Sequence, residues 1–423
     1  MKRTTYLVPL LFSVAVSWGC RHASESREEI VFWALGAEGE HVQKVMPEFE
    51  RRNPGVTVRV QMIPWNAAHE KLLTAYAGGS LPDVCQIGNT WVPEFQILSA
   101  LENLSPWVDR SSTIKDTSYF RGIWDTNIIN GSVYGIPWYV DTKVMFYRSD
   151  RLEEVGYPQG PKSWEEWFDA SAKLKKAYPD DYPVFFSTNN EWVPQVVMGL
   201  QKGSTLLRDN DTYANFSSKE FHDALNIFHD FFAKGWAPVK TAQIVNIYQA
   251  FAEGFFAMYI SGPWNIGEFS RRLPPALQSK WMTAPLPGPD GKMGVSLAGG
   301  SSLVMFSGSS KKPEVWKLIE YLSEPAVQAA FYGYTGDLPP RTEAWKDSTL
   351  LMNKYAAAFF QQLNQVVPTP KIPEWEQIAQ QIRQVTELVS MDRITVDEAT
   401  AELDRTVNLM LEKRRWMVKH AQQ

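Results

Sequence analysis

Side chains suited to covalent chemistry are few in this chain and poorly arranged for it. Of its six histidines, His222 and His229 stand seven apart on one predicted helix, each followed by an aspartate. The pattern superficially fits a metal pair, or a base with an orienting carboxylate. Two helical turns hold the pair about 10 Å apart, too far to ligate one ion, so a surface or packing role is expected. The chain has no nucleophile elbow G-x-S-x-G, no P-loop, no G-x-G-x-x-G and no H-E-x-x-H. Among 47 acidic residues some carboxylates must fall close together, so a glycosidase dyad stays open, though nothing singles out a pair. No catalytic residue is assigned, and neither metal nor cofactor is expected.

Aromatic residues are what the composition offers instead: 17 Trp, 16 Tyr and 22 Phe, many at turns and strand ends beside Gly, Asn or Asp. Most of the tryptophans belong in the core. A flat indole at a strand end can also cover the apolar C–H face of a sugar ring while carboxylates and amides take the hydroxyls. That division of labour suits polar ligands without charge.

The elements that must hold these side chains read as α/β. Residues 29–35 form a short apolar run with the character of a buried parallel strand. Val42, Val45, Met46 and Phe49 recur at helical spacing until Asn53-Pro54-Gly55 ends the helix. Val56, Val58 and Val60 then alternate with polar residues, predicting a second strand and completing a βαβ unit. A helix through Leu72, Leu73 and Tyr76 stops at Gly78-Gly79, and Pro82-Asp83 leads into a strand around Cys85. The order β-α-β-α-β predicts a doubly wound lobe. Ser163 with Glu166, Ser217 with Glu220, and Thr395 with Glu398 are predicted capping boxes. Lys312-Pro313-Glu314 opens a helix with Val315, Ile319 and Leu322 on one face, and the carboxyl end is predicted helical through Leu403, Val407, Met410 and Leu411.

With 423 residues the chain exceeds one compact core, so two lobes are expected, joined by short crossings because no Gly-Ser or Pro-rich tether occurs. The net charge of −5 and the absence of a basic stripe argue against nucleic acid. Met1 to Gly19 reads as a secretory signal: Lys2 and Arg3 precede an apolar stretch, Tyr6 to Val16, too short to span a bilayer. Cys20 directly after Gly19 resembles the bacterial lipobox, in which the cysteine is lipidated and becomes the mature N-terminus, although Trp18 is bulkier than that pattern prefers. Removal of residues 1–19 and lipidation of Cys20 would leave Cys85 as the sole free cysteine, expected to be a buried strand residue rather than a reactive thiol.

Six blocks carry a family resemblance. They are Gly78-Gly79-Ser80-Leu81-Pro82-Asp83-Val84 with 86–95; 131–142, which contains Trp138-Tyr139-Val140-Asp141; Pro161-Lys162-Ser163-Trp164; 251–266, ending Ser261-Gly262-Pro263-Trp264-Asn265-Ile266; Leu297-Ala298-Gly299-Gly300-Ser301; and Leu338-Pro339-Pro340-Arg341. In this order they resemble bacterial extracellular solute-binding proteins of the sugar-binding type. The resemblance implies an α/β, two-lobed periplasmic-binding-protein-like (type II) fold with hinge crossings near Asp141, Gly299-Gly300 and Arg341. It implies lobe 1 at 29–141 plus 300–340, lobe 2 at 142–299 plus 341–423, and a linker at 20–28. Family contacts carried onto matching motifs are Asn89, Thr90, Trp91, Tyr139, Asp141, Trp264, the Gly299-Gly300 backbone, Arg341 and, more weakly, Glu38. A monomeric, lipid-anchored receptor outside the cytoplasm follows, closing on a sugar and delivering it to an ABC permease. Two other readings stay open: a lipoprotein glycosidase, and a receptor for a charged solute such as glycerol phosphate or a polyamine.

Overall fold

The structure, a computed structural model, describes residues 27–187, 191–239, 244 and 246–421. Residues 1–19 and Cys20 lie outside them.

Strand β1 (Glu28–Leu35) pairs in parallel with β2 (Val56–Ile63) along its whole length, Glu28 opposite Val56 through Leu35 opposite Ile63. It also pairs in parallel with β3 (Val84–Gly88). Alternate β1 side chains enter two different cores: Ile30, Phe32 and Ala34 go to one face, Trp33 and Leu35 to the other. Both faces are buried, which is why the segment reads as a continuous apolar run. Helix α1 (Gly36–His41) and α2 (Met46–Arg52) cover one face and α3 (Trp65–Ala77) the other. The single helix expected through Val42 and Phe49 is in fact broken by a 3-10 turn at Val42–Lys44. Pro47 explains the break: it lacks an N–H and sits in the first turn of a new helix. At the end of α3, Gly79 takes φ +62°, as a helix stop requires.

Strand β4 (Ile136–Val140) completes this sheet from the far side. The order is β2-β1-β3-β9-β4, where β9 (Gly300–Met305) is antiparallel to both neighbours. A second sheet holds β5 (Val144–Arg148), β6 (Tyr182–Phe185), β7 (Phe256–Ser261) and β8 (Trp281–Ala284) in the order β8-β5-β7-β6. Its strand β5 repeats the two-faced pattern, with Val144 and Phe146 in one core and Met145 and Tyr147 in the other. Only Asp141, Thr142 and Lys143 separate β4 from β5, so the chain leaves one sheet and enters the other in three residues. It returns between β8 and β9 at Gly299.

Helices α4 (Trp164–Ala177), α5 (Val193–Gln201) and α6 (Lys219–Ala233) pack on the second sheet. Helix α7 (Trp264–Arg272) follows β7 directly. Helices α8 (Lys312–Leu322) and α9 (Pro325–Thr335) return to the first lobe, and α10 (Trp375–Ser390) with α11 (Val396–Met410) closes the core of the second. The box at Thr395 is complete: Glu398 N–H donates to Thr395 Oγ1 at 3.2 Å, and Thr395 N–H donates to Glu398 Oε2 at 2.8 Å. The other two boxes differ from expectation. Ser163 accepts from Glu166 N–H, but the Glu166 carboxylate accepts from Lys162 N–H instead. For α6 the cap is Ser218, one residue later, because Asp404 accepts the backbone N–H groups of Phe216 and Ser217.

Cys85 is fully buried, and desolvation pushes its thiol well above the usual range, as befits an inert strand residue. His222 and His229 do not use the aspartates that follow them; each pairs at 2.7 Å with a distant one, Asp397 and Asp392.

Candidate functional site

A cavity of about 490 Å³ opens where the crossings meet. Its first-lobe wall is made by the carboxyl ends of β1, β3 and β4, the position at which open α/β sheets place ligands. Glu38 reaches it from the first turn of α1. Gly36, at φ +55°, permits the approach: a Cβ there would stand 2.5 Å from the Trp65 ring.

Tyr139 lies on β4 with its hydroxyl in a closed network. Gln86 donates to it at 3.1 Å and to Ser301 Oγ at 3.3 Å, while Gln86 Oε1 accepts the Leu35 N–H at 2.7 Å. Burial, with Glu38 and Asp337 nearby, pushes the phenol well above its usual range, so it remains protonated. Trp91 stands edge-on to Trp65 and His69, ring centroids 5.8 and 5.0 Å away. His69 in turn is held to Glu94 at 2.6 Å, and that bond raises its pKa. Asn89 donates to the Ala298 carbonyl at 2.8 Å, and the Thr90 hydroxyl donates to Glu376 at the start of α10, across the cleft.

From the second lobe comes Trp264, at the start of α7 and 41% exposed. Gly262 makes room for it, since a Cβ would lie 2.0 Å from the indole. Lys143, in the crossing itself, is 93% buried, sits 4.3 Å from the Trp264 ring centroid and reaches Asp141 Oδ1 at 3.2 Å. Burial works against its charge, but Asp141, then Glu191, outweighs burial and holds its pKa above the usual value. Trp192 also lines this wall.

Gly299 and Gly300 line the cavity, yet the close approach they permit is to the protein itself. A Cβ on Gly299 would meet the Asp141 carbonyl at 2.2 Å, and one on Gly300, at φ +136°, the Tyr139 carbonyl at 2.2 Å. They are glycine because β4 and β9 cross there.

Thus the structure brings Glu38, Asn89, Thr90, Trp91, Tyr139, Asp141, Trp264, Gly299 and Gly300 to one cavity. Arg341 stands apart from it. Its guanidinium is buried in the first lobe, donating to the carbonyls of Thr113 and Ser323 at 2.9 and 3.0 Å and to Glu343 at 2.8 Å. Those carbonyls have claimed it. Conversely, Trp65, Lys143, Trp192 and Asp337 line the cavity without having been singled out from sequence. Asp337 directly precedes the Leu338-Pro339-Pro340 block, and Trp65 follows β2 after Pro64 alone, so both carried a usable positional signal.

These features agree with known proteins. The profile of the bacterial extracellular solute-binding protein family matches residues 33–329. Among solved structures, the sugar-binding protein MalE from the phytopathogen Xanthomonas citri superposes with a TM-score of 0.90 at 48% identity, covering 92% of this chain and 99% of that one. A Thermotoga lettingae solute-binding protein bound to α-D-tagatose gives 0.76 at 27% identity, over 91% and 100% of the two chains. The diacetylchitobiose binding protein DasA of Streptomyces coelicolor is 26% identical over 354 residues, 82% of this chain and 81% of its own. With more than half of its length matched by the profile and its two sheets meeting at a crossing-lined cavity, this chain belongs to the bacterial extracellular solute-binding protein family.

Proposed function

We propose that the protein is a carbohydrate receptor that closes its two lobes on a sugar and presents it to an ABC permease. The observation that carries this is the lining of the cavity: Trp65 and Trp91 from one lobe and Trp192 and Trp264 from the other share it with Glu38, Asp141 and Asp337. Indole faces suit the C–H surface of a pyranose, and carboxyl groups suit its hydroxyls. The sugar-binding relatives support the same reading.

The lobes would move as 29–141 plus 300–340 against 142–299 plus 341–423, hinged at the crossings. Export with lipidation at Cys20 and action as a monomer belong to the proposal.

The test is a thermal-shift screen of mono- to tetrasaccharides, with spermidine and glycerol phosphate alongside. A sugar at 100 times its Kd should stabilise the protein by about 2.7 kcal/mol. A shift with spermidine or glycerol phosphate and none with any saccharide would overturn the reading; cleavage of an oligosaccharide would replace it with glycosidase activity.

A further inference from the structure

Asp337 occupies an unusual place in the cavity wall. It follows Gly336, which ends α9 at φ +80°, and precedes Leu338, whose carbonyl accepts the Val140 N–H at 2.9 Å. The residue lines the cavity, yet its Oδ2 is sealed from solvent and has no hydrogen-bond partner among the described residues. The carboxyl groups of Glu38, from α1, and Asp141, beyond β4, both disfavour a negative charge on it. The neighbouring phenol on β4, Tyr139, stays protonated.

Among the described residues no cation compensates Asp337. Lys143 is committed to Asp141 and Trp264, Arg341 points to Thr113, Ser323 and Glu343, and Lys44 lies over the Tyr334 ring of α9. His41 of α1 keeps its buried Nδ1 unpartnered. A carboxylate here would be desolvated beside two others; a neutral acid escapes the repulsion and gains an O–H donor.

We propose that Asp337 is a specificity-determining residue that works as a neutral acid, donating its proton to an oxygen of the bound saccharide. This rests on the carbohydrate reading above. Burial first, then Glu38, pushes the Asp337 pKa up to about 8. The donor is therefore present at neutral pH and lost in mild alkali, so sugar affinity depends on one proton. Among saccharides the site favours those that offer an acceptor oxygen beside Glu38.

The experiment is calorimetry from pH 6.5 to 9.5 with the tightest binder among maltose, maltotetraose, diacetylchitobiose, tagatose and a wider saccharide panel. The wild type should weaken by about thirtyfold between pH 7 and 9.5, as loss of a required proton with this pKa dictates. Asp337→Asn keeps a neutral donor and should bind within about threefold of wild type at pH 7, without the alkaline loss; Asp337→Ala should bind about tenfold more weakly at pH 7. A ligand-free measurement accompanies these. Because the folded-state pKa is raised, the Asp337 contribution to stability is present below about pH 4 and lost as pH rises through about 8, so Asp337→Asn should melt above wild type at pH 9 and with it at pH 4. Sugar binding that is flat with pH in the wild type, or an alkaline loss shared by Asp337→Asn, would overturn the proposal and leave the receptor reading intact. Binding of no saccharide at all would overturn both.

Discussion

On the first-lobe wall the polar groups of Tyr139, Gln86 and Ser301 close on one another and on the Leu35 N–H, whereas on the second-lobe wall the Trp264 indole stands 41% exposed over a buried ammonium. One wall is a finished hydrogen-bond network; the other is an open aromatic face. Both walls also carry tryptophans, Trp65 and Trp91 on the first and Trp192 and Trp264 on the second. The difference arises from the elements behind them. The first wall sits on strand ends whose backbone is locked by the sheet, while the second is a helix start and a three-residue crossing. Asp141 belongs to neither, and through Lys143 it couples the two.

The largest effect should come from removing that coupling. In the proposed receptor Asp141 would accept sugar hydroxyls, and at about 1.5–3 kcal/mol per such bond the loss of two in Asp141→Ala should weaken binding by more than about a hundredfold, measured by calorimetry. Asp141→Ala also leaves Lys143 unpaired, so Asp141→Ala combined with Lys143→Met should recover stability without recovering affinity.

Next in size, Gln86→Leu tests whether the first wall is a network. It strands the Leu35 N–H, and should cost about 2–3 kcal/mol of stability in denaturant unfolding. Should Gln86→Leu unfold like wild type, the first wall is not held as described.

Trp264→Ala tests the second wall. Loss of about 60–100 Å² of apolar contact at 25 cal/mol per Å² predicts a weakening of about ten- to seventyfold with little change in unfolding midpoint, because the ring is exposed. If Trp264→Ala binds sugar like wild type, ring stacking lies elsewhere on the wall.

The smallest change is expected from Thr90→Val, which removes the hydroxyl that reaches across the cleft to Glu376. It should alter affinity by less than about fivefold, yet scattering of the unliganded protein should shift toward a more open form. An unchanged profile would show that the contact does not restrain the lobes.

Much of this was legible beforehand. The β1 run, the alternating valines of β2 and the Gly79 stop encode their own conformations, because side-chain periodicity and permitted φ are local properties. The cleft residues before the crossings were legible too, since they end strands and stand in motif order. Pro47 was a local signal overlooked, and its helix broke where a missing N–H required. The cap of α6 moved to Ser218 for a reason no local reading contains: Asp404, from α11, takes the backbone groups ahead of it.

What the amino-acid order determined by itself, then, is a doubly wound α/β chain with an aromatic-rich set of strand ends and glycines at the crossings. Only the tertiary structure decided how those groups are spent. Arg341 was drawn into the first lobe because the carbonyls of Thr113 and Ser323 needed a donor there. Gly299 and Gly300 serve the contact between β4 and β9. Lys143 and Asp337 became part of the cavity because burial, which no spacing along the chain reveals, set one ammonium against Asp141 and left one carboxyl with no partner for its Oδ2. Charge and hydrogen bonding in a desolvated site depend on what is near in space, and that is settled only when the lobes have folded.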